Sequence, residues 1–435
     1  MRALLTALAA VLASTAWASE TVNLPLTQAR PQTTRLGLEM VLQAAHEHPD
    51  VLAATRQLHA ARADVLAANR APTPTLSSSL STVDLKNSPS GGSSWRPGNM
   101  DKSVGIDWQW ERGGKRALRT EKAQTLVQAA DADRQEVRLL QSVGAQMAFY
   151  DLLTAHQRLQ VFRELAQSAE QLAENARIRW VNGDVSAQEA SRTRIEALRA
   201  QADTQTAMLE YQQASAGLGL WTGLKEPANG WTFEVRWPPT TVSEVITPAD
   251  LMNGPWLEAR SDVTAARLRL SAANQAVALA QSLRVTDPVV GTSLENTPDG
   301  FGNTSKLMAV RVSIPLVHQA RYDGEIGRAV AEAALSQDLL DRTRQRALNE
   351  MVTALQARQA NAERLHTYEE KILPDALRVA EQTEMAYRRG GLPLTDLLDA
   401  RRTLRAVQLD VLTARGAYAK AWTHWQLRQS ATRTP

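Results

Sequence analysis

Hydrophobic positions along this chain follow two periods that alternate in blocks. From His48 to Asn69 the period is seven: Val51, Leu58 and Val65 are seven apart, and so are Ala54, Ala61 and Ala68. From Arg260 to Gln281 the pattern returns, with Val263, Leu270 and Val277 beside Ala266, Ala273 and Ala280. A shift of 212 residues lays Arg260 on His48, and the two stretches then share nine identities in twenty-two positions without a gap. A sustained seven-residue repeat with two apolar positions predicts helices packed as in a coiled coil. Alanine at every second seam position lets neighbouring helices approach closely. The chain therefore reads as two copies of a long-helix unit.

In chain order, the pattern predicts a first helix from about Gly37 to Asn69, bent at Pro49 and ended by Pro72 and Pro74. The period then drops to two. Leu76, Ser78, Leu80 and Thr82 read as a weak strand (about 74–86), and Asn87–Met100 as a turn-rich loop carrying Trp95. Val104, Ile106, Trp108 and Trp110 alternate with Gly105, Asp107, Gln109 and Glu111, which predicts a strand (about 102–111) with one greasy and one wet face. Tryptophans near a strand end suit a membrane interface, although the same alternation fits a strand of a soluble sheet. A long helix follows from about Arg116 to Val181, a turn at Asn182-Gly183-Asp184, and a returning helix from Ser186 to about Trp221. A connector, 222–247, holds a possible short strand at Thr232–Trp237.

The order then recurs over 248–429. A helix runs to about Leu283. A strand holds Pro288, Val290, Thr292 and Leu294 (about 286–295), and a Gly/Asn/Pro loop spans Asn296–Ser305. A second strand holds Met308, Val310, Val312, Ile314 and Leu316 (about 306–317). A helix from Tyr322 to Arg388 pauses at Pro374, the chain turns at Arg389-Gly390-Gly391, and Pro393–Gln429 is the last helix, with 430–435 as a tail. Four strands cannot close a membrane barrel, for which about eight is the usual minimum, so membrane strands here would require an oligomer.

Composition narrows the class. The 435 residues include no cysteine, which excludes disulfides, thiolate metal sites and a cysteine nucleophile. Met1–Ala18 has a basic residue, an apolar run and Ala16-Trp17-Ala18, the pattern of a secretory signal; 19–36 reads as an irregular segment. Ser19 rather than cysteine follows the expected cut, so no lipid anchor is expected at the mature N-terminus. Elsewhere no run of 18 apolar residues predicts a membrane-spanning helix. The net charge is +3, spread along the chain without a basic block, and nucleic acid is not an expected partner. A chain of this kind that enters a membrane does so through a β-barrel.

The order of these parts resembles the TolC family of outer-membrane channels over nearly all of the mature chain. The resemblance rests on the duplicated Ala/Val-seamed helix ending at a proline before a strand, the two strand–loop–strand units, and the two glycine turns at helix tips. Gly113-Gly114-Lys115-Arg116 is similar to the CzcC-like heavy-metal subgroup. The resemblance implies a mainly α fold of two repeats in a homotrimer. Each chain would give four strands to a twelve-stranded outer-membrane barrel, and long helices to a periplasmic tunnel. It implies a passive exit duct of a tripartite efflux system. A periplasmic adaptor would dock on the tip turns (Gly183, Gly390, Gly391), and an inner-membrane resistance-nodulation-division pump would supply energy, with heavy-metal cations as the expected cargo. Trp108 and Trp110 would face outer-membrane lipid.

The resemblance also assigns roles at the tips. Tyr387, Gly390 and Thr395-Asp396-Leu397-Leu398-Asp399-Ala400 match the family's periplasmic entrance, where two aspartates three apart form acidic rings. That spacing places both carboxylates on one helix face. The first-repeat counterparts, at a shift of 207, are Trp180, Gly183, Gln188 and Glu189. A tyrosine–acid lock would fall on Tyr387 and Glu189; Leu392 stands where the family pattern has an arginine. Plainer readings accompany these: a solvated face for Asp396 and Asp399, packing for Tyr387, and for Trp95, at the expected outer loop, a loop anchor in place of a receptor or phage contact.

His46 and His48, two apart, do not share a helix face, so no metal site is expected there. Gly217, Gly219 and Gly223 follow no strand and make no nucleotide loop. No catalytic constellation or cofactor motif stands out, and an enzyme is not expected. Drug efflux and type I secretion use ducts of the same shape. The reading from a different class is a soluble periplasmic coiled-coil scaffold or adhesin.

Overall fold

The computed structural model describes residues 35–81, 101–240, 256–298, 304–316 and 319–430. The signal-like segment, the loop with Trp95, part of the connector and the turn 299–303 lie outside the described residues.

The predicted first helix is two helices, α1 (Leu38–His46) and α2 (Pro49–Ala68). Proline lacks an N–H and cannot continue a helix without loss, but it is well placed at a first turn. Pro49 accordingly starts α2, and His48 caps it, with the Asp50 N–H donating to His48 Nδ1 (3.3 Å). After strands β1 (Thr75–Ser81) and β2 (Asp101–Gln109) comes α3 (Lys115–Val181), 67 residues and roughly 100 Å long. The chain returns along α4 (Ala187–Thr222). The second repeat has a short α5 (Trp256–Ala259), α6 (Ser261–Ser282), β3 (Val289–Pro298) and β4 (Thr304–Ser313). A 3-10 turn (Gln319–Tyr322) leads into α7 (Asp323–Thr367), and α9 (Leu394–Ser430) ends the chain. Between α7 and α8 (Leu373–Arg388) lies one π turn, Tyr368–Ile372. The turn immediately precedes Pro374; a wider turn accommodates a residue that cannot donate to the helical ladder.

The centre of the molecule is the middle of α3. Phe149, Leu152, Leu153, Leu159 and Phe162 are buried there against Val41 and Ala45 of α1, Tyr211 and Leu218 of α4, and Ala419 of α9. Trp231, Phe233 and Trp237 of the connector cover this cluster. The short strand expected at Thr232–Trp237 reduces to a single parallel bridge, Phe233 to Leu36. Its aromatic residues pack on the core, and among the described residues no neighbouring strand extends the ladder. Tyr211 Oη donates to Glu226 Oε1 (2.8 Å), Ser215 Oγ to Glu226 Oε2 (2.7 Å), and Trp231 Nε1 to Ser215 Oγ (3.0 Å). The connector is thereby tied down by side chains where sheet pairing is missing.

The four strands form one antiparallel sheet in the order β1-β2-β3-β4. Its central pair, β2 with β3, joins the two repeats, with Val104 opposite Leu294 and Trp108 opposite Val290. Among the described residues, β1 and β4 have no partner strand on their outer edges.

Candidate functional site: the sheet face and the helix tips

The register settles what each sheet face carries. Leu76, Val104, Ile106, Trp108, Val290, Leu294, Met308, Val310 and Val312 fall in matched transverse rows on one face. These large apolar side chains are exposed: Leu294 is 69 %, Met308 71 % and Val310 70 % accessible. Trp108 and Trp110 stand at the helix-proximal end of this band, also exposed, and the Trp110 N–H donates to the Pro288 carbonyl (2.8 Å). The opposite face holds Ser77, Ser79, Ser103, Gly105, Asp107, Gly291, Ser293, Ala309 and Arg311, so it is mostly small or polar, with Leu307 exposed and Val289 half-buried as apolar exceptions. At Gly105 a Cβ would lie 2.8 Å from the Thr292 carbonyl oxygen, so the close approach of β2 and β3 requires glycine. A contiguous apolar face with no internal cover is not the surface of a monomer in water.

Where sheet meets helix, Lys115 and Asp287 make a buried ion pair (2.7 Å). Lys115 Nζ also donates to the Val285 carbonyl (2.7 Å), and the Arg112 N–H to Asp287 Oδ1 (2.8 Å). Burial raises the Asp287 pKa, but the Lys115 ammonium and the Arg112 N–H outweigh it and hold the carboxyl below its ordinary value. This clamp gives Lys115, in the sequence motif Gly113–Arg116, a structural task.

At the far end both helical hairpins turn the same way. The Asp184 N–H donates to the Arg179 carbonyl (2.8 Å) and the Gly183 N–H to Trp180 (3.0 Å); the Gly391 N–H donates to Ala386 (2.9 Å) and the Gly390 N–H to Tyr387 (2.9 Å). Gly183 and Gly390 take φ of 84° and 76°, the left-handed region favoured by glycine. The 207-residue correspondence therefore extends to individual hydrogen bonds. Ser186 caps α4 by accepting from the Glu189 N–H (3.2 Å), which makes Ser186-x-x-Glu189 a capping-box spacing. Tyr387 and Glu189 are both half-buried. Among the described residues no side-chain hydrogen bond links them within one chain. Leu392 is half-buried beside the Gly390 turn.

Asp396 and Asp399 are exposed on the first turns of α9. Thr395 Oγ1 donates to Asp396 Oδ1 (3.3 Å), and Arg402 Nη1 approaches Asp399 Oδ1 at 3.4 Å. The hairpins are joined through α9. Arg402 pairs with Glu196 and Arg405 with Asp203, both on α4, while Arg401 Nη1 donates to Ser168 Oγ of α3 (3.3 Å) and Lys420 pairs with Asp151 of α3 (2.7 Å). These cross-helix pairs were not legible in sequence, because each joins residues about two hundred positions apart or more. His46 and His48 are engaged locally. His46 Nε2 lies 3.0 Å from Ser142 Oγ, Arg138 Nη2 lies 3.1 Å from His46 Nδ1, and His48 is the α2 cap.

Long helices crossed by one small sheet with a bare apolar face define a membrane-channel class of fold. The outer membrane efflux protein family matches residues 40–224 and 256–430, and the chain belongs to that family. It is 23% identical over 402 residues to the cobalt-zinc-cadmium resistance protein CzcC of Cupriavidus metallidurans, covering 92% of this chain and 90% of that one. Three solved structures share the fold. CusC has a TM-score of 0.74 at 16% identity, over 93% of this chain and 95% of that chain. The Campylobacter jejuni CmeC outer membrane channel has 0.73 at 16% identity, over 94% and 90%. The Neisseria gonorrhoeae MtrE outer membrane channel, in its open state, has 0.70 at 17% identity, over 90% and 88%. The protein is an outer-membrane efflux channel of the TolC type, and this family consists of channels rather than enzymes.

Proposed function

We propose that three copies of this chain close a twelve-stranded barrel, with β1 of one copy pairing with β4 of the next, and that the long helices continue it as a tunnel through the periplasm. The carrying observation is the sheet, with its exposed apolar rows, mostly small or polar opposite face and, among the described residues, outer edges without a partner strand. Open edges favour pairing with another chain, and barrel closure satisfies them. The segment 1–18 acts as a removed export signal. Trp108 and Trp110 sit at the lipid interface.

The duct is passive. A periplasmic adaptor engages the tip turns at Gly183, Gly390 and Gly391, and an inner-membrane resistance-nodulation-division pump supplies energy. Asp396 and Asp399 form the acidic entrance, whose negative potential concentrates cations. Tyr387 and Glu189 take part in closing it. Heavy-metal cations are the proposed cargo; the likeness to a cobalt-zinc-cadmium resistance protein supports this, as does Gly113-Gly114-Lys115-Arg116.

The test is to size the detergent-solubilised protein by analytical ultracentrifugation and record it in a planar bilayer. A trimer with small, cation-selective conductance is the expected result. A water-soluble species without conductance would remove the duct and leave a coiled-coil scaffold. Loss of cobalt, zinc and cadmium tolerance on deletion of the gene, with drug tolerance unchanged, would be expected for metal cargo.

A further inference from the structure

The two entrance carboxylates have different electrostatic surroundings. Asp399 faces Arg402 one turn along α9, with Arg402 Nη1 3.4 Å from Asp399 Oδ1. The other arm of the same guanidinium pairs with Glu196 on α4. Glu196 is in turn approached by Arg199 Nη1 at 3.4 Å. Two carboxylates and two guanidinium groups thus form one cluster in which formal charge cancels. Among the described residues Asp396 has the Thr395 hydroxyl as its side-chain partner, and no ion pair holds it. A planar, permanently charged guanidinium can bridge two carboxylates in this way, whereas an ammonium presents a point charge. The neighbouring cations do not compete for the role, since Arg401 is held by Glu384 and Ser168, and Arg405 by Asp203.

We propose that Arg402 is a selectivity-determining residue of this channel: it cancels Asp399 and leaves Asp396 as the charge that cations meet. The proposal rests on the reading of Asp396 and Asp399 as the entrance ring. Exposed ion pairs of this kind add little to stability. Their effect on a permeating ion is different, because an ion passing within a Debye length responds to the local net charge. Glu196 tunes the effect from the adjacent helix. Its removal leaves Arg402 and Arg199 uncompensated and makes the entrance more positive.

The test is the reversal potential across a potassium chloride gradient in planar bilayers, on trimers verified by size. Reversal potential reports selectivity independently of how many channels are open. Asp396→Ala should lower the cation-to-anion permeability ratio by roughly two- to fivefold at low salt. Asp399→Ala should lower it as well, because it leaves Arg402 uncompensated, whereas Asp399→Ala combined with Arg402→Gln, which removes the pair as a unit, should stay close to wild type. Arg402→Gln should raise the ratio and Glu196→Gln should lower it, while Arg402→Lys, which keeps the charge, should stay close to wild type. The opposite signs at Arg402 and Glu196 distinguish a charge effect from loosening of the α9–α4 contact, which would move both variants the same way. An unaltered Arg402→Gln channel, with the double variant losing as much selectivity as Asp399→Ala alone, would overturn the proposal and leave the ring intact. No change in any of the four charge-altering variants would overturn the ring itself.

Discussion

Single residues at mid-height carry much of the charge chemistry of this fold. Arg260, nearly buried, pairs with Asp262 (2.9 Å) and with Glu350 of α7 (2.8 Å). Arg428 of α9 reaches Glu350 (3.0 Å) and Glu136 of α3 (2.6 Å), and His424 Nε2 lies 3.1 Å from Glu350. Burial raises the Glu350 pKa, but His424, Arg260 and Arg428 outweigh it and bring it down to about 2. A depressed carboxyl stabilises the folded state fully above its unfolded pKa, and that contribution fades as pH falls from about 4.5 towards about 2. Glu136 has the opposite shift, raised chiefly by burial, so the two must be separated by comparison. Glu350→Gln should cost on the order of 2 kcal/mol at neutral pH, and its difference from wild type should shrink below about pH 4. Thermal unfolding of both proteins across that pH range checks this. At the tips, Gly183→Ala and Gly390→Ala should each destabilise the turn by about 1 kcal/mol, since both sit at left-handed φ. Faster amide exchange confined to the last helical turns is the expected signature.

At the scale of elements, period separated helix from strand correctly, and register added what period lacks. Alternation in Val104–Trp110 was visible in sequence. Only the pairing of Val104 with Leu294, and of Leu294 with Met308, places apolar residues from both repeats on one face. This yields a paired test. Val310→Lys, on the apolar face, should cost about 2–4 kcal/mol near mid-membrane, whereas its neighbour Ala309→Lys, on the polar face, should cost far less. Folding into lipid vesicles under urea titration would show the contrast; equal penalties would contradict the assignment of faces. Prolines act according to position. Pro49 begins α2, while Pro374 follows a π turn in the long helix for which the sequence predicts a bend or pause at that proline.

At the scale of the molecule, two hairpins of helices are held side by side by cations of α9 reaching acids on α4 and α3. In the proposed trimer, closure at the tips would depend on how these hairpins lie against those of the neighbouring copies. Tyr387→Phe and Glu189→Gln should raise the resting single-channel conductance if those residues belong to the lock; channels that stay silent would remove them from it. Conductance of Arg405→Gln is an informative comparison, because it tests the α9–α4 contact without altering Tyr387 or Glu189.

Periodicity, glycine positions and the internal repeat are local properties, and sequence alone therefore determined the two-fold organisation, the long helices, the strand pairs and the paired tip turns. Those features, in their order, already pointed to an outer-membrane duct. Tertiary structure decided what depends on residues far apart in the chain. It placed Lys115 on Asp287, gathered Arg260, Glu350, Arg428 and Glu136 at mid-height, and gave Arg402 two carboxylates to share. A charged side chain carries no periodic signal that identifies its partner. Apart from a pair such as Asp399 and Arg402, three apart on one helix, its environment exists only once helices separated by dozens to hundreds of residues lie against each other, and that environment determines how much of its charge a neighbouring ion meets.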